Sequence, residues 1–274
     1  MTNSELLKQQ GYVVIPQVLN AEEVQKARDI ISKIFSEKSK FDGDLNRTSE
    51  EGGSVYVDIF ARYKELRWIL LNPKFIEGVS SALGKDFVVL PDAAMHDSQY
   101  GGWHKDTTSQ ERNGHKFQYE DDFLVVTTAL YLQDNSPEYG GGLDVIPNSH
   151  RDTSDPFAAR PTIASRIKNK LFNTKPVGGT NDLPNQYTIP SKAGDLVIFN
   201  LRLTHKATHP KIKPVPPEHR KFSIFTICSA NNKHARLFTD YIANRPDYTF
   251  LKGHKYDQDL LQDAKGSSLN LMEV

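Results

Sequence analysis

Ala193-Gly194-Asp195-Leu196-Val197-Ile198-Phe199-Asn200-Leu201-Arg202-Leu203-Thr204-His205 is the stretch on which the fold turns. A Gly-Asp turn signal precedes an apolar run from Asp195 to Leu201, rich in β-branched and aromatic residues, which predicts the strongest strand of the chain. Phe87 to Leu90, Phe123 to Leu132, Leu143 to Ile146 and Phe222 to Ser229 have the same character and are bounded by Gly, Pro, Asn and Asp. Upstream, Tyr12 to Ile15 reads as a short strand stopped by Pro16. Asn20 and Glu23 then cap a helix whose apolar face is Val24, Ala27, Ile31, Ile34 and Phe35. A second helix opens at Asn72-Pro73, presents Phe75, Ile76, Val79 and Leu83, and closes at Gly84. Helices followed by many short strands predict a mainly β domain spanning 1–274, an antiparallel sandwich or barrel with flanking helices.

The strand from Asp195 delivers His205 to one mouth of this barrel. At another mouth stands Trp103-His104-Lys105-Asp106, entered through Gly101-Gly102. Side chains two apart on an extended segment point the same way, so His104 and Asp106 face one point and Lys105 faces away. Two imidazoles and one carboxylate on one side of a metal form the set that binds non-heme Fe(II) and leaves positions open. His-x-Asp alone is a weak signal: with nine His in the chain, roughly one chance match is expected. Indeed His150-Arg151-Asp152 repeats the spacing. Pro147-Asn148-Ser149 places His150 in a turn, where a histidine bonded to backbone is the favoured reading. His96 and His115 have no companion motif and read as structural or exposed.

Composition narrows the classes. The chain has 274 residues, and 34 Lys+Arg balance 34 Asp+Glu, so there is no electrostatic footprint for nucleic acid. The single Cys228 excludes an internal disulfide framework and Cys-rich zinc sites, and a reducing compartment is expected. Met1 to Gln10 is polar, and no apolar run approaches the roughly 20 residues that span a bilayer. A cytoplasmic location with no membrane partner is the expectation. Two long polar insertions, Thr107 to Asp122 and Arg151 to Pro190, read as lid-like or binding loops.

The ordered motifs resemble the phytanoyl-CoA dioxygenase family of Fe(II)- and 2-oxoglutarate-dependent oxygenases. They are Gly11 to Pro16, Leu83-Gly84, Trp103 to Asp106, Ala129 to Leu132, Gly140 to His150 and Ala193 to Phe199. The likeness runs from about Gly11 to Ala230. It implies a double-stranded β-helix, a cupin-like jelly-roll barrel, with His104, Asp106 and His205 as iron ligands and His150 as a bystander. It also implies 2-oxoglutarate and O2 as co-substrates, with ascorbate as an aid in vitro. A carboxylate at Asp106 fills the position that related halogenases leave to chloride, so hydroxylation is the expected reaction.

The distal carboxylate of 2-oxoglutarate asks for a cation, and a guanidinium answers it with two parallel hydrogen bonds. The family places this residue on the strand after the distal His, where Arg220 stands; Arg202 is a rival. The substrate is expected to be a small molecule. Arg151, Arg160, Arg166, Lys168, Lys170 and Lys175 either draw an anionic one or belong to a solvated helix from Ile163 to Phe172. No CoA-binding element is visible. Two other classes keep the barrel: a metal-free small-molecule binder, and a Zn or Mn hydrolase or isomerase that needs no buried Arg.

Overall fold

Local signals set the N-terminal elements. A computed structural model describes residues 1–37, 41, 44–46, 53–158 and 179–274. Thr2 and Glu5 form a capping box that opens α1 (Asn3–Gln10), a helix not expected from sequence. Gly11 ends it at φ 88°, a left-handed turn that a Cβ resists, and releases the chain into β1 (Tyr12–Ile15). α2 (Ala21–Ser36) starts with the expected Asn20–Glu23 capping box and buries Val24, Ala27, Ile31 and Ile34. After β2 (Leu45–Asn46), β3 (Ser54–Val57) and two short helices, α3 (Ile59–Arg62) and α4 (Arg67–Leu70), comes α5 (Pro73–Leu83). Its boundaries are those that Asn72, Pro73 and Gly84 predict.

The remaining strands are β4 (Val88–Asp97), β5 (Val125–Tyr131), β6 (Leu143–Val145), β7 (Tyr187–Thr188), β8 (Leu196–Asn200), β9 (His205–Ala207), β10 (Phe222–Ser229) and β11 (Asn270–Leu271). A large sheet has the order β1-β8-β5-β10-β4-β3-β2, with β11 added parallel to β4. β7-β6-β9 form a smaller antiparallel sheet. This is the two-sheet arrangement of a double-stranded β-helix, although the large sheet stays open and does not close into a barrel.

Alternation along the strands gives the large sheet two different faces. Val126, Leu130, Ile198, Phe222 and Ile224 share one hydrophobic core with α2 and α5. Thr127, Tyr131, Phe199, Phe225 and Ile227 line a cavity on the other face, with Leu143, His205 and Ala207 of the small sheet opposite. A second core closes one end of the sandwich. There α7 (Asn232–Ala243) and the 3-10 turn Pro246–Leu251 pack Phe238, Ile242 and Leu251 against Val88, Leu90 and Ile227. α8 (Gln258–Gly266) follows.

The first insertion is ordered rather than structureless. It contains α6 (Thr108–Arg112) and a 3-10 turn, Phe117–Tyr119. Gln110 and Gln118 are fully buried and bonded to each other at 2.8 Å. None of its residues lines the cavity. The helix expected from Ile163 to Phe172 lies outside the described residues, as do Arg160, Arg166, Lys168, Lys170 and Lys175. No helix among the described residues is long and apolar enough to cross a membrane.

Candidate metal centre

A single antiparallel bridge brings the two halves of the motif together. His104 and His205 exchange both backbone hydrogen bonds, each 2.9 Å, and their rings stand 4.3 Å apart. Asp106 returns to the same side two residues later, as the extended spacing predicts. Its Oδ1 lies 3.5 Å from His104 Nε2 and 3.6 Å from His205 Nε2. One donor atom from each residue fits within 4.8 Å of the others.

The far side of each imidazole is already engaged. His104 Nδ1 faces the Gly102 carbonyl at 2.7 Å, and His205 Nδ1 faces that of Leu203 at 2.9 Å. A carbonyl only accepts, so both Nδ1 atoms carry a proton and each Nε2 is the ring nitrogen turned to the common centre. Thr127, on β5, donates to Asp106 Oδ2 at 2.6 Å and leaves Oδ1 free.

The electrostatics match this geometry. Burial opposes ionisation of Asp106, but His205, His104 and the Thr127 hydroxyl outweigh it and hold the carboxyl at about 2. Burial, then the neighbouring His104, pushes His205 down to about 4. For His104, burial is overcome by the hydrogen bond and charge of Asp106, which raise its pKa. An ionised carboxylate beside a neutral imidazole is the protonation state that a divalent cation requires. Two imidazole nitrogens and one carboxylate oxygen, crowded to one side, suit Fe(II) with open positions.

The triad opens into a cavity of about 410 Å3. Arg220 is not in it. The strand β10 alternates, and Arg220 falls on the face of Phe222 and Ile224, toward the helices. Its guanidinium donates to the Asp97 carboxylate through Nε at 2.9 Å and through a second nitrogen. Its side chain is 47% exposed. Lys221, one residue on, points into the cavity and is 3% exposed. Its Nζ donates to the Gln99 carbonyl at 2.6 Å and sits over the Tyr100 ring. No carboxylate pairs with it among the described residues, and burial alone pushes its pKa down to about 7.

The other residues sort as follows. Arg202 donates to the Asp152 carbonyl at 2.6 Å and covers the Tyr119 ring, away from the cavity. Arg151 donates to the Lys8 carbonyl. His150 lies buried under α1 with Nε2 3.2 Å from the same carbonyl, so its turn reading holds. His96 lines the cavity against Phe225, and His115 packs edge-on to Tyr241. Sequence reasoning missed Thr127, Lys221, Tyr131 and Ser223. Alternation in Lys221-Phe222-Ser223-Ile224 puts Lys221 and Ser223 on one face but does not say that this face is the inner one.

An open two-sheet β-helix with His-x-Asp and a distal His facing its cavity defines the class: a non-heme metal oxygenase fold. The family model for phytanoyl-CoA dioxygenase (PhyH) matches residues 7–211, most of the chain, and the chain belongs to that family. The family uses Fe(II), 2-oxoglutarate and O2, and the protein is an oxidoreductase of that superfamily.

Solved structures agree on the fold. The non-heme alpha ketoglutarate dependent epimerase SnoN from nogalamycin biosynthesis superposes with a TM-score of 0.57 at 16% identity, covering 82% of this chain and 81% of its own. EctD from S. alaskensis with bound Fe gives 0.58 at 14%, covering 82% and 75%. HygX from Streptomyces hygroscopicus, with nickel, 2-oxoglutarate and hygromycin B bound, gives 0.53 at 16%, covering 81% and 84%. A comparison with curated proteins gives no match.

Proposed function

We propose that this protein is a hydroxylase of an unactivated C–H bond in a small molecule, releasing succinate and CO2, with His104, Asp106 and His205 as its iron ligands. Fe(II), 2-oxoglutarate and O2 supply the oxidising chemistry when bound. The protein's part is to hold, orient and shield. Asp106 gives the cation one negative charge, and the Thr127 hydrogen bond fixes which oxygen it offers. The two backbone-anchored imidazoles keep their lone pairs on the metal side.

The observation that carries this reading is the company the triad keeps. One cavity holds both it and Lys221, a buried cation without an acid partner among the described residues. Burying such a charge costs several kcal/mol, so an anion is the natural complement. We assign Lys221, in place of Arg220, to the distal carboxylate of 2-oxoglutarate. Two hydroxyls are at hand beside it. Tyr131 and Ser223 pair directly across β5 and β10, and both oxygens are buried with no hydrogen-bond partner among the described residues. The charge of Lys221 also lowers the pKa of His205, which places it within electrostatic reach of the metal site.

A zinc hydrolase would have no use for this cation, and a metal-free binder no use for three converging donors. The test is conversion of 2-oxoglutarate to succinate with Fe(II), O2 and ascorbate, followed by mass spectrometry of candidate substrates. Gain of one oxygen atom supports hydroxylation. Loss of two hydrogens, or an isomer of unchanged mass, would assign desaturation or epimerisation instead.

A further inference from the structure

Lys221 lies just beyond one end of the β4–β10 pair, and Asp92 near its middle. Phe222 is in register with Asp97, and Thr226 with Ala93. Asp92 therefore stands at the far end of the cavity from the lysine, beside the bulge in β10. Its Oδ2 accepts from the Tyr248 hydroxyl at 3.2 Å. Its Oδ1 has no hydrogen-bond partner among the described residues. The surrounding wall is apolar and comes from the C-terminal part of the chain: Phe238, Tyr248 and Phe250 join Leu201 and Ile227. This part lies beyond the residues that the family model matches.

The charges at this end do not cancel. Arg245 is engaged with Asp247 through Nε at 3.0 Å and through a second nitrogen. It also stacks over the Tyr241 and Tyr248 rings. Asp92 and Asp247 against Arg245 leave one carboxylate unmatched, and Asp92 is the one set into the apolar wall. Burial pushes its carboxyl up to about 6, and the Tyr248 hydrogen bond and the Arg245 charge only partly oppose it.

We propose that this end of the cavity binds the primary substrate, and that the substrate is a small molecule with a protonated amine and an apolar body. The ammonium pairs with Asp92, and the apolar part rests on Phe238, Phe250 and Ile227. Thr127, which holds Asp106, is paired with Ile227 of β10, and β4 is the next strand. Asp92 is thus two strands from Thr127, about 10 Å, so the carbon presented to the metal stands several bonds from the nitrogen. The basic residues that left an anionic substrate open do not face this end where they are described. Arg151 is turned toward Lys8, and the others fall outside the described residues.

This inference rests on the oxygenase reading, and one experiment separates the two. Protein loaded with Fe(II) and 2-oxoglutarate without oxygen is titrated calorimetrically with 2-phenylethylamine, 2-phenylethanol and phenylacetate, three probes that differ mainly in charge. The amine should bind at least about tenfold tighter than the alcohol, the scale of one charged hydrogen bond, and the acid weakest. Asp92→Asn should erase the preference. Equal binding, a preference for the acid, no amine binding, or a preference that survives in Asp92→Asn overturns the proposal. The wild-type series decides the matter even if the variant does not fold. Visible charge-transfer absorption when 2-oxoglutarate joins the Fe(II) protein reports on the oxygenase reading by itself, whatever the probes do.

Discussion

Thr127 Oγ1 donates to Asp106 Oδ2 at 2.6 Å across two segments distant in sequence. This hydrogen bond selects the oxygen that faces the two imidazoles. Thr127→Val keeps the shape of the side chain and removes the donor, so Asp106 is free to rotate or to lose charge at the centre. Metal affinity should fall by about 10–100-fold, the usual effect of losing a partner of a ligand. Thr127→Ser should retain most of it. Competition of Fe(II) or Mn(II) against a chelator reads both.

Arg220 and Lys221 are neighbours that face opposite ways, which makes them a paired test. Lys221→Met should weaken 2-oxoglutarate binding by about 1.5–3 kcal/mol, the value of a charged hydrogen bond, while leaving metal affinity nearly unchanged. Arg220→Met should cost stability through the loss of Asp97 as a partner and leave co-substrate affinity alone. The reverse outcome would restore Arg220 to the site.

Lys221 also predicts a pH dependence. With its pKa pushed down to about 7, it is charged below that value and neutral above it in the empty cavity. A bound carboxylate favours the charged form. Affinity for 2-oxoglutarate should therefore be highest below about 7 and decline as pH rises, with proton uptake on binding at pH 8. Lys221→Arg keeps its charge throughout and should flatten the profile. Calorimetry in buffers of different ionisation enthalpy measures the uptake.

Local signals explain what could be read in advance. Asn20–Glu23, Asn72-Pro73 and Gly84 set their helix ends because capping is decided within a few residues. The convergence of His104 and Asp106 was legible because strand geometry alone turns both to one side. Facing was not legible. Phe222 and Ile224 pack on the helices while Phe225 and Ile227 line the cavity, so both faces of β10 are apolar and alternation cannot say which is inner. This is why Arg220 is expected at the cavity, where Lys221 stands instead. β4 outruns the expected Phe87 to Leu90 because pairing with β3 and β10 carries it through Pro91 and Asp92. The Asp92 end of the cavity draws Phe238, Tyr248 and Phe250 from a region without a motif, and only tertiary packing brings them into one cavity with the triad.

Gly11 is held at φ 88°. A Cβ there would meet His150 Nδ1 at 2.5 Å and a Leu203 methyl at 2.7 Å. Gly11→Ala should destabilise the fold by roughly 1–3 kcal/mol or more, from backbone strain plus the clash. Adding His150→Ala should recover part of this, since one obstacle is removed. His150→Ala alone should leave the metal stoichiometry unchanged. Denaturant midpoints and metal analysis follow both effects.

The most direct test of the central claim is formation of succinate from 2-oxoglutarate by the Fe(II)-loaded protein in air, with ascorbate and an accepted substrate, compared with His205→Ala under the same conditions. The account predicts succinate in step with oxidised product for the wild type. It predicts near-complete loss of both, together with loss of bound iron, in a folded His205→Ala protein. Equal succinate yield and full iron occupancy in His205→Ala would contradict it.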